Sequence, residues 1–118
     1  MPRVKNGVAH HARKKKIMQA AKGAYGGRSK LYKAAKETVE RGMRYAYRDR
    51  RKKKGDFRQL WITRINAAAR LHGISYSRLM NGLRKAGLDI NRKMLADLAV
   101  RDPAVFQGLV ESARAALS

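Results

Sequence analysis

The chain has 118 residues, with 29 Lys or Arg against 8 Asp or Glu and a formal net charge of +21. It contains no cysteine, which excludes disulfide frameworks and thiolate chemistry. No run approaches the roughly 18 apolar residues of a membrane span, and the start lacks a signal-peptide stretch, so we expect a soluble, cytoplasmic protein.

The positive charge is concentrated in the first half of the chain. Residues 1–58 hold 20 basic and 4 acidic side chains, whereas residues 59–118 hold 9 and 4. An extended polyanion suits such a first half, and nucleic acid is the commonest one. The length predicts one domain, or one domain with an extension.

Residues 1–27 have the pattern of an extension. The segment AHHARKKKIMQAAKG predicts a short helix that ends near Gly23, because glycine is favoured just beyond helix ends. The loop GAYGGRS follows, and Ser29 is a predicted N-cap. A phosphate-binding loop is excluded here, since Arg28 stands where the second glycine of that motif belongs and no strand precedes it.

Residues 30–54 consist of good helix formers and predict a long helix. Its apolar face is thin and made mostly of small residues at spacings of three and four: Tyr32, Ala35, Val39, Met43 and Ala46. Cations cover most of the remaining surface, so the helix buries too little to be held by protein packing, and its like charges repel. Solvated helix faces normally mix both signs, which favours phosphates as the partners of this charge over solvent alone.

The sequence beyond Gly55 predicts a small helical domain. Asp56 and Gln59 have the spacing of a capping box, so either a new helix starts there or the long helix bends at Gly55. The helix ends at Gly73. Its predicted inward face is Phe57, Leu60, Trp61, Ile65, Ala68 and Leu71.

Three further helices follow, each preceded by a capping residue: Ser75 before YSRLMNGLRKA, Asn91 before RKMLADLAVR, and Asp102 with Pro103 at the first helical position. Ile74 with Leu79 and Ile90 with Leu95 have the spacing of hydrophobic staples, and Gly87 with Leu88 and Leu83 that of a Schellman ending. The last helix carries Val105, Phe106, Leu109, Val110, Ala113 and Leu117. Four short helices in about 60 residues, without a strand signal, predict an all-α domain.

No enzymatic, metal or cofactor site is predicted. His10 and His11 are adjacent, so they point in different directions on any regular element. The scattered acids offer no pair for general acid–base chemistry. Ser75 and Ser77 are better explained as caps than as nucleophiles.

Several blocks of this sequence resemble bacterial large-subunit ribosomal protein twenty. YAYRDRRKKKGDFRQLWITRINAAAR and GISYSRLMNGLRKAG carry the resemblance, and PRVKNGV, AKGAYGGRSKLY and NRKMLADLAV agree in order and spacing. It covers essentially the whole chain; the departures are Asn6 and the pair His10 and His11. The resemblance implies an all-α fold: a long basic N-terminal helical extension, residues 1–57, followed by a compact four-helix C-terminal domain, residues 58–118.

The resemblance also implies a function. We expect direct binding to large-subunit ribosomal RNA, support of early large-subunit assembly, and neighbouring ribosomal proteins as partners. Members in many bacteria also repress translation of their own messenger RNA, which is therefore a further expected partner. Neither a membrane nor a small-molecule substrate is expected.

The expected RNA contacts are cations, centred where the extension meets the domain. They are Arg3, Lys5, Arg13, Lys14, Lys15, Lys16, Lys22, Arg28, Lys30, Lys33, Arg44, Arg48, Arg50, Arg51, Lys52, Lys53, Lys54, Arg58, Arg64, Arg84, Lys85, Arg92 and Lys93. Arginine suits bidentate phosphate contact and stacking, while lysine supplies a point charge. Tyr25, Tyr32, Tyr45 and Tyr47 lie among these cations and either stack on unpaired bases or pack in the thin stripe.

Two other interpretations compete with RNA binding. YSRLMNGLRKA and RKMLADLAVR, joined by GLDIN, have the order of a DNA-binding helix-turn-helix, although the charge beyond residue 58 is modest. A membrane-active basic helix would need a wide apolar face, which residues 28–54 lack.

Overall fold

The computed structural model describes Arg3 and residues 5–118; Met1, Pro2 and Val4 of the predicted extension lie outside the described residues. Across that described part the chain forms helices and no strand, which confirms the predicted all-α fold. The helices are α1 Gly7–Ala20, α2 Tyr32–Leu71, α3 Tyr76–Lys85, α4 Arg92–Arg101 and α5 Pro103–Ala115, with a 3-10 turn at Gly26–Ser29.

Helix α2 runs through Gly55 without interruption, which decides between the two interpretations of this position. Asp56 and Gln59 therefore lie inside the helix and do not form a capping box. No atom lies within 4 Å of the position that a Gly55 Cβ would occupy. The chain divides into two compact units, the first ending at Arg51 and the second covering Lys52–Ser118, and α2 contributes to both.

The first unit contains the short helix predicted before Gly23. Gly23 follows α1 with a left-handed φ of 84°, as expected of a glycine just beyond a helix end. The prediction of Ser29 as an N-cap is wrong. Its hydroxyl donates back to the carbonyl oxygen of Gly26 at 3.1 Å, and α2 begins three residues later because the 3-10 turn intervenes.

The predicted caps of the second unit are confirmed. The side chains of Ser75, Asn91 and Asp102 accept hydrogen bonds from the third backbone N–H of α3, α4 and α5 at 3.4, 2.9 and 3.3 Å. Gly87 has a φ of 72°, and the amide of Leu88 donates to Leu83 at 3.0 Å, which is the predicted Schellman ending. These local signals fix where each short helix starts and ends.

The core of the second unit joins the last turns of α2 to α3, α4 and α5. Its buried side chains are Ile65, Ala69, Ile74, Leu79, Leu83, Leu95, Ala96, Phe106, Val110 and Ala113. Trp61, Ala68, Ile90, Leu109 and Leu117 are partly buried against this cluster.

Three residues predicted to face inward, and Val105 of the last helix, are exposed. Phe57 is 44%, Leu60 41%, Leu71 87% and Val105 48% exposed. Within the second unit, burial on α2 begins only at Trp61, because three helices of 10, 10 and 13 residues cover no more than its last turns. The apolar stripe of α2 thus extends beyond the region that the domain buries.

Helices α3 and α5 approach each other closely at Gly82. A Cβ built on this glycine would lie 2.4 Å from the carbonyl oxygen of Ala113. Small residues on both sides therefore let the two backbones touch. Among the described residues, no helix is both long enough and apolar enough to cross a membrane.

Candidate nucleic-acid interface

The middle of α2 is a helix without a buried side. Every side chain from residue 40 to residue 60 is exposed, and the segment carries nine basic and three acidic residues. Protein contacts do not cover this section, because a helix stabilised by packing would show a buried stripe at intervals of three and four. We call residues 40–60 the bare section of α2.

Few of the cations in the first half have a carboxylate partner. In the part of the chain that the structure describes, residues 1–58 contain three ion pairs, all on the surface of α2. They join Lys36 to Glu40, Arg41 to Glu37 and Arg48 to Asp49. The hydrogen bond from Arg48 to Asp49 raises the pKa of Arg48 above its usual value. Most of the remaining positive charge is not neutralised within the chain.

Five consecutive cations, Arg50 to Lys54, form the densest part of this surface. Successive residues of an α-helix are about 100° apart, so five of them point in every direction around the axis. All five are exposed. The side chains of Lys52 and Lys54 make neither a hydrogen bond nor an ion pair to the described part of the chain.

Two exposed tyrosines hold neighbouring arginines in place. The guanidinium carbon of Arg51 lies 3.6 Å from the centre of the Tyr47 ring, and its Nη1 donates to the Tyr47 carbonyl oxygen at 2.9 Å. Arg48 lies 4.8 Å from the Tyr45 ring. These rings are 57% and 50% exposed, respectively. Stacking reduces the freedom of the guanidinium groups while leaving other donor atoms available to a phosphate.

The other tyrosines differ from this pair. Tyr32 is half-buried, with the Nζ of Lys14 5.3 Å from its ring, which favours packing in the thin stripe. Tyr25 is 95% exposed in the loop after α1. Tyr25, Tyr45 and Tyr47 are therefore the ones open to a base.

The predicted contacts of the first unit outside the bare section are all exposed. Arg13 to Lys16 lie on α1, Arg28 in the 3-10 turn and Lys33 in the first turn of α2. Arg3, Lys5, Lys22 and Lys30 flank these elements and are exposed as well. Arg28 and Tyr45 line one shallow hollow of about 350 Å³ together with Arg41, which was not among the predicted contacts.

The second unit brings several predicted contacts together. Arg58, Arg84, Arg92 and Lys93 line one groove with Trp61, although they come from three different helices. Arg92 is half-buried, and its Nε donates to the Tyr76 hydroxyl at 2.8 Å, which links α4 to α3. We call this cavity the tryptophan groove.

A second hollow also has Trp61 in its wall. It contains Arg64 and Lys93 together with Arg101, whose Nε lies 3.0 Å from Asp97 on the same helix. Arg101 was not predicted as a contact, although its place in the last turn of α4 is a common one for a basic residue. Lys85 is exposed at the end of α3 and lines neither hollow.

The described part of the chain contains no cluster of three or more His, Cys, Asp or Glu side chains that could hold a metal ion. His10 and His11 both lie on α1 and are exposed. The surface therefore offers cations, exposed tyrosines and one half-buried tryptophan to a partner. These are the groups with which proteins contact phosphates and unpaired bases.

Comparison with known proteins gives one consistent result. A family model described as Ribosomal protein L20 matches residues 3–109. The chain is 62% identical over 117 residues to the large ribosomal subunit protein bL20 of Aeromonas hydrophila, covering 99% of both chains. It is 61% identical over 117 residues to the bL20 protein of Roseiflexus sp., covering 99% of this chain and 100% of the relative, and 59% identical to that of Staphylococcus carnosus, covering 99% of both.

Proposed function

The chain belongs to the ribosomal protein L20 family, and from this premise we propose that it binds large-subunit ribosomal RNA directly and supports assembly of the large subunit. The family consists of structural ribosomal proteins and not of enzymes. This membership favours RNA over the competing helix-turn-helix interpretation. Neighbouring ribosomal proteins are the further partners of such a protein.

The bare section of α2 is the observation that carries the proposal. Bringing unpaired cations into contact with phosphates releases counterions, which is the main source of affinity in protein–nucleic acid complexes. The bare section has cations on all sides, and none of its side chains is buried. The ordering of such a helix is then coupled to RNA binding.

We propose a division of labour between the two parts of the chain. The basic extension, residues 1–57, supplies phosphate contacts that depend on charge. The domain, residues 58–118, supplies a rigid surface that selects an RNA site by shape, because its cations are fixed by helices packed on one core. We also propose that the domain binds the chain's own messenger RNA and thereby represses its translation. A surface that selects by shape accepts any RNA that reproduces the same fold.

A charge-matched pair of variants tests the phosphate contacts in the full chain. Lys52→Gln with Lys54→Gln removes two exposed cations from the bare section, and Arg70→Gln with Arg78→Gln removes two exposed cations elsewhere. Each lost phosphate contact should lower the slope of log affinity against log salt by roughly 0.7–0.9. The first pair should therefore flatten the slope by roughly 1.4–1.8, and the second should leave it unchanged.

Titration of large-subunit ribosomal RNA at several salt concentrations decides the outcome. Equal slopes for both double variants would mean that the bare section does not neutralise phosphates. For the regulatory part, a reporter preceded by the chain's own leader should be translated less when the protein is supplied. Repression that survives every RNA-binding defect would contradict this mechanism.

A further inference from the structure

The tryptophan groove differs in character from the rest of the basic surface. It has a volume of about 650 Å³, within the rough range of 300–1,000 Å³ in which small ligand sites fall. Arg58 of α2, Arg84 of α3, and Arg92 and Lys93 of α4 supply its charge. The α3–α4 connection, residues 87–91, forms another part of its wall and contributes the groove's one acidic residue, Asp89.

The cations of the groove are available to a ligand. Arg58, Arg84 and Lys93 are exposed, and none of them has a side-chain hydrogen bond or ion pair to the described part of the chain. Arg92 donates its Nε–H to the Tyr76 hydroxyl, so its guanidinium is held in place, while its terminal amino groups make no hydrogen bond within the described residues. Four cations against one carboxylate make the groove attractive to an anion of more than one charge.

The groove also has an apolar floor, which phosphate binding alone does not need. Trp61, Met80, Leu83 and Ile90 line it, and the indole of Trp61 is only half-buried. Phe57 lies beside that indole, with 6.3 Å between the ring centres, and is itself 44% exposed. Part of a large aromatic surface thus stays open to solvent next to four positive charges.

An unpaired nucleotide matches both the cations and the apolar side chains of this groove. Unpaired bases stack on aromatic side chains, and the phosphates on either side of the base pair with arginine or lysine. A paired duplex offers phosphates but keeps its bases stacked inside, so it would leave the apolar floor uncovered. An acidic peptide offers charge but has no flat ring system to place on the tryptophan.

We propose that the tryptophan groove binds one unpaired nucleotide of an RNA loop or bulge, with its base against Trp61 and its phosphates on Arg58, Arg84 and Arg92. This inference rests on the proposed function and deepens it. It assigns to the domain a single-stranded contact, in addition to the phosphate contacts of the bare section.

Trp61 is the only tryptophan of the chain, so its fluorescence reports on binding at this one side chain. Because Trp61 also lines the second hollow, variants of residues that line only one of the two are needed to assign the signal. The full-length protein is titrated with a short single-stranded oligoadenylate and with its abasic counterpart, which keeps the sugar–phosphate chain but lacks the bases. We expect the oligoadenylate to quench Trp61 and to bind about tenfold more tightly than the abasic strand. Poly-glutamate of matched charge should leave the fluorescence unchanged.

Three variants test whether the preference for a strand with bases arises at Trp61. Trp61→Leu keeps an apolar side chain but removes both the ring and the fluorescent probe, so its binding is followed by the fluorescence anisotropy of end-labelled strands. This variant should abolish the tenfold preference for the strand with bases. Arg84→Gln, at the exposed end of α3, should weaken both strands by a similar factor and preserve the preference. Arg70→Gln removes an exposed cation that does not line the groove and should change neither. Circular dichroism checks the fold of each variant. If Trp61→Leu does not fold, the proposal is decided by comparing how the oligoadenylate and the abasic strand quench Trp61 in the native chain and in Arg84→Gln.

Each of several results would overturn the inference. These are no binding of the oligoadenylate, equal quenching by the abasic strand, an unchanged preference in folded Trp61→Leu, or quenching by poly-glutamate. Affinity for structured ribosomal RNA is measured separately. If that affinity persists without any base preference at Trp61, the proposed function stands and this inference is wrong; if it is absent, the proposed function itself fails.

Discussion

Gly82 and Ala113 bring the backbones of α3 and α5 into direct contact, because a Cβ on Gly82 would lie 2.4 Å from the Ala113 carbonyl oxygen and 2.8 Å from its Cβ. No side chain can be accommodated at this distance unless one helix moves. We predict that Gly82→Ala lowers the free energy of unfolding by about 1–3 kcal/mol, the usual cost of overpacking. Chemical denaturation of the full chain measures this change through Trp61, which packs on the same core.

Gly108→Ala is the matched control. Gly108 lies on α5 with no atom within 4 Å of its Cβ position, so only helix propensity changes. This variant should gain up to about 1 kcal/mol. Similar midpoints for the two variants would mean that α3 and α5 are not in backbone contact.

The bare section of α2 should exchange its amide hydrogens much faster than the core helices when no RNA is present. Its hydrogen bonds are solvent-exposed and no buried side chains stabilise them, whereas residues around Ile65 and Val110 open only with the core. Hydrogen exchange read residue by residue should then show strong slowing of residues 40–60 when ribosomal RNA is added. Equal protection of both regions in the RNA-free protein is the result that would contradict this.

Gly55→Ala should strengthen RNA binding. Glycine inside a helix costs about 1 kcal/mol relative to alanine, and the Cβ position is open, so the substitution favours the helical form at no steric cost. If RNA selects the helical form, affinity should rise up to about fivefold, with an unchanged salt slope. Titration at one salt concentration measures the gain, and weaker binding would show that RNA needs a bend at this glycine.

Tyr47 should act through its ring and not through its hydroxyl group. The guanidinium of Arg51 stacks on the ring and donates to the backbone carbonyl, and the described structure gives the phenol oxygen no hydrogen bond. Tyr47→Phe should therefore bind RNA like the native chain. Tyr47→Ala should weaken binding by roughly two- to fivefold, as expected for the loss of an exposed cation–π contact. Equal loss in both variants would point to a role for the hydroxyl.

Local sequence signals predicted the ends of the short helices correctly. Ser75, Asn91, Asp102 and Gly87 act on backbone groups within five residues of themselves, so no knowledge of the rest of the fold is needed. The continuity of α2 through Gly55 was not decidable in the same way. The glycine and the capping pattern favour a new helix there, whereas the helix-forming residues on both sides favour a continued one.

The exposure of Phe57 and Leu60 required tertiary information. Phe57 lies eight residues before Ile65 and Leu60 eight residues before Ala68, and periodicity cannot show how far α3, α4 and α5 reach along α2. The tryptophan groove could not be predicted from the sequence for a similar reason. Arg58, Arg84 and Arg92 are distant in sequence, and only the packing of three helices brings them to one cavity.

The cations from Arg50 to Lys54 point in all directions around α2, so no side of this segment can pack against an uncharged surface. Any such surface would bury at least one unpaired charge, at a cost of several kcal/mol. We therefore expect its RNA partner to supply phosphates on several sides, which a single groove on a finished RNA surface does not provide. We expect RNA strands to close around this segment from several directions. If RNA closes around the segment in this way, we expect the protein to bind while the strands are still apart, and its removal afterwards to require the RNA to reopen.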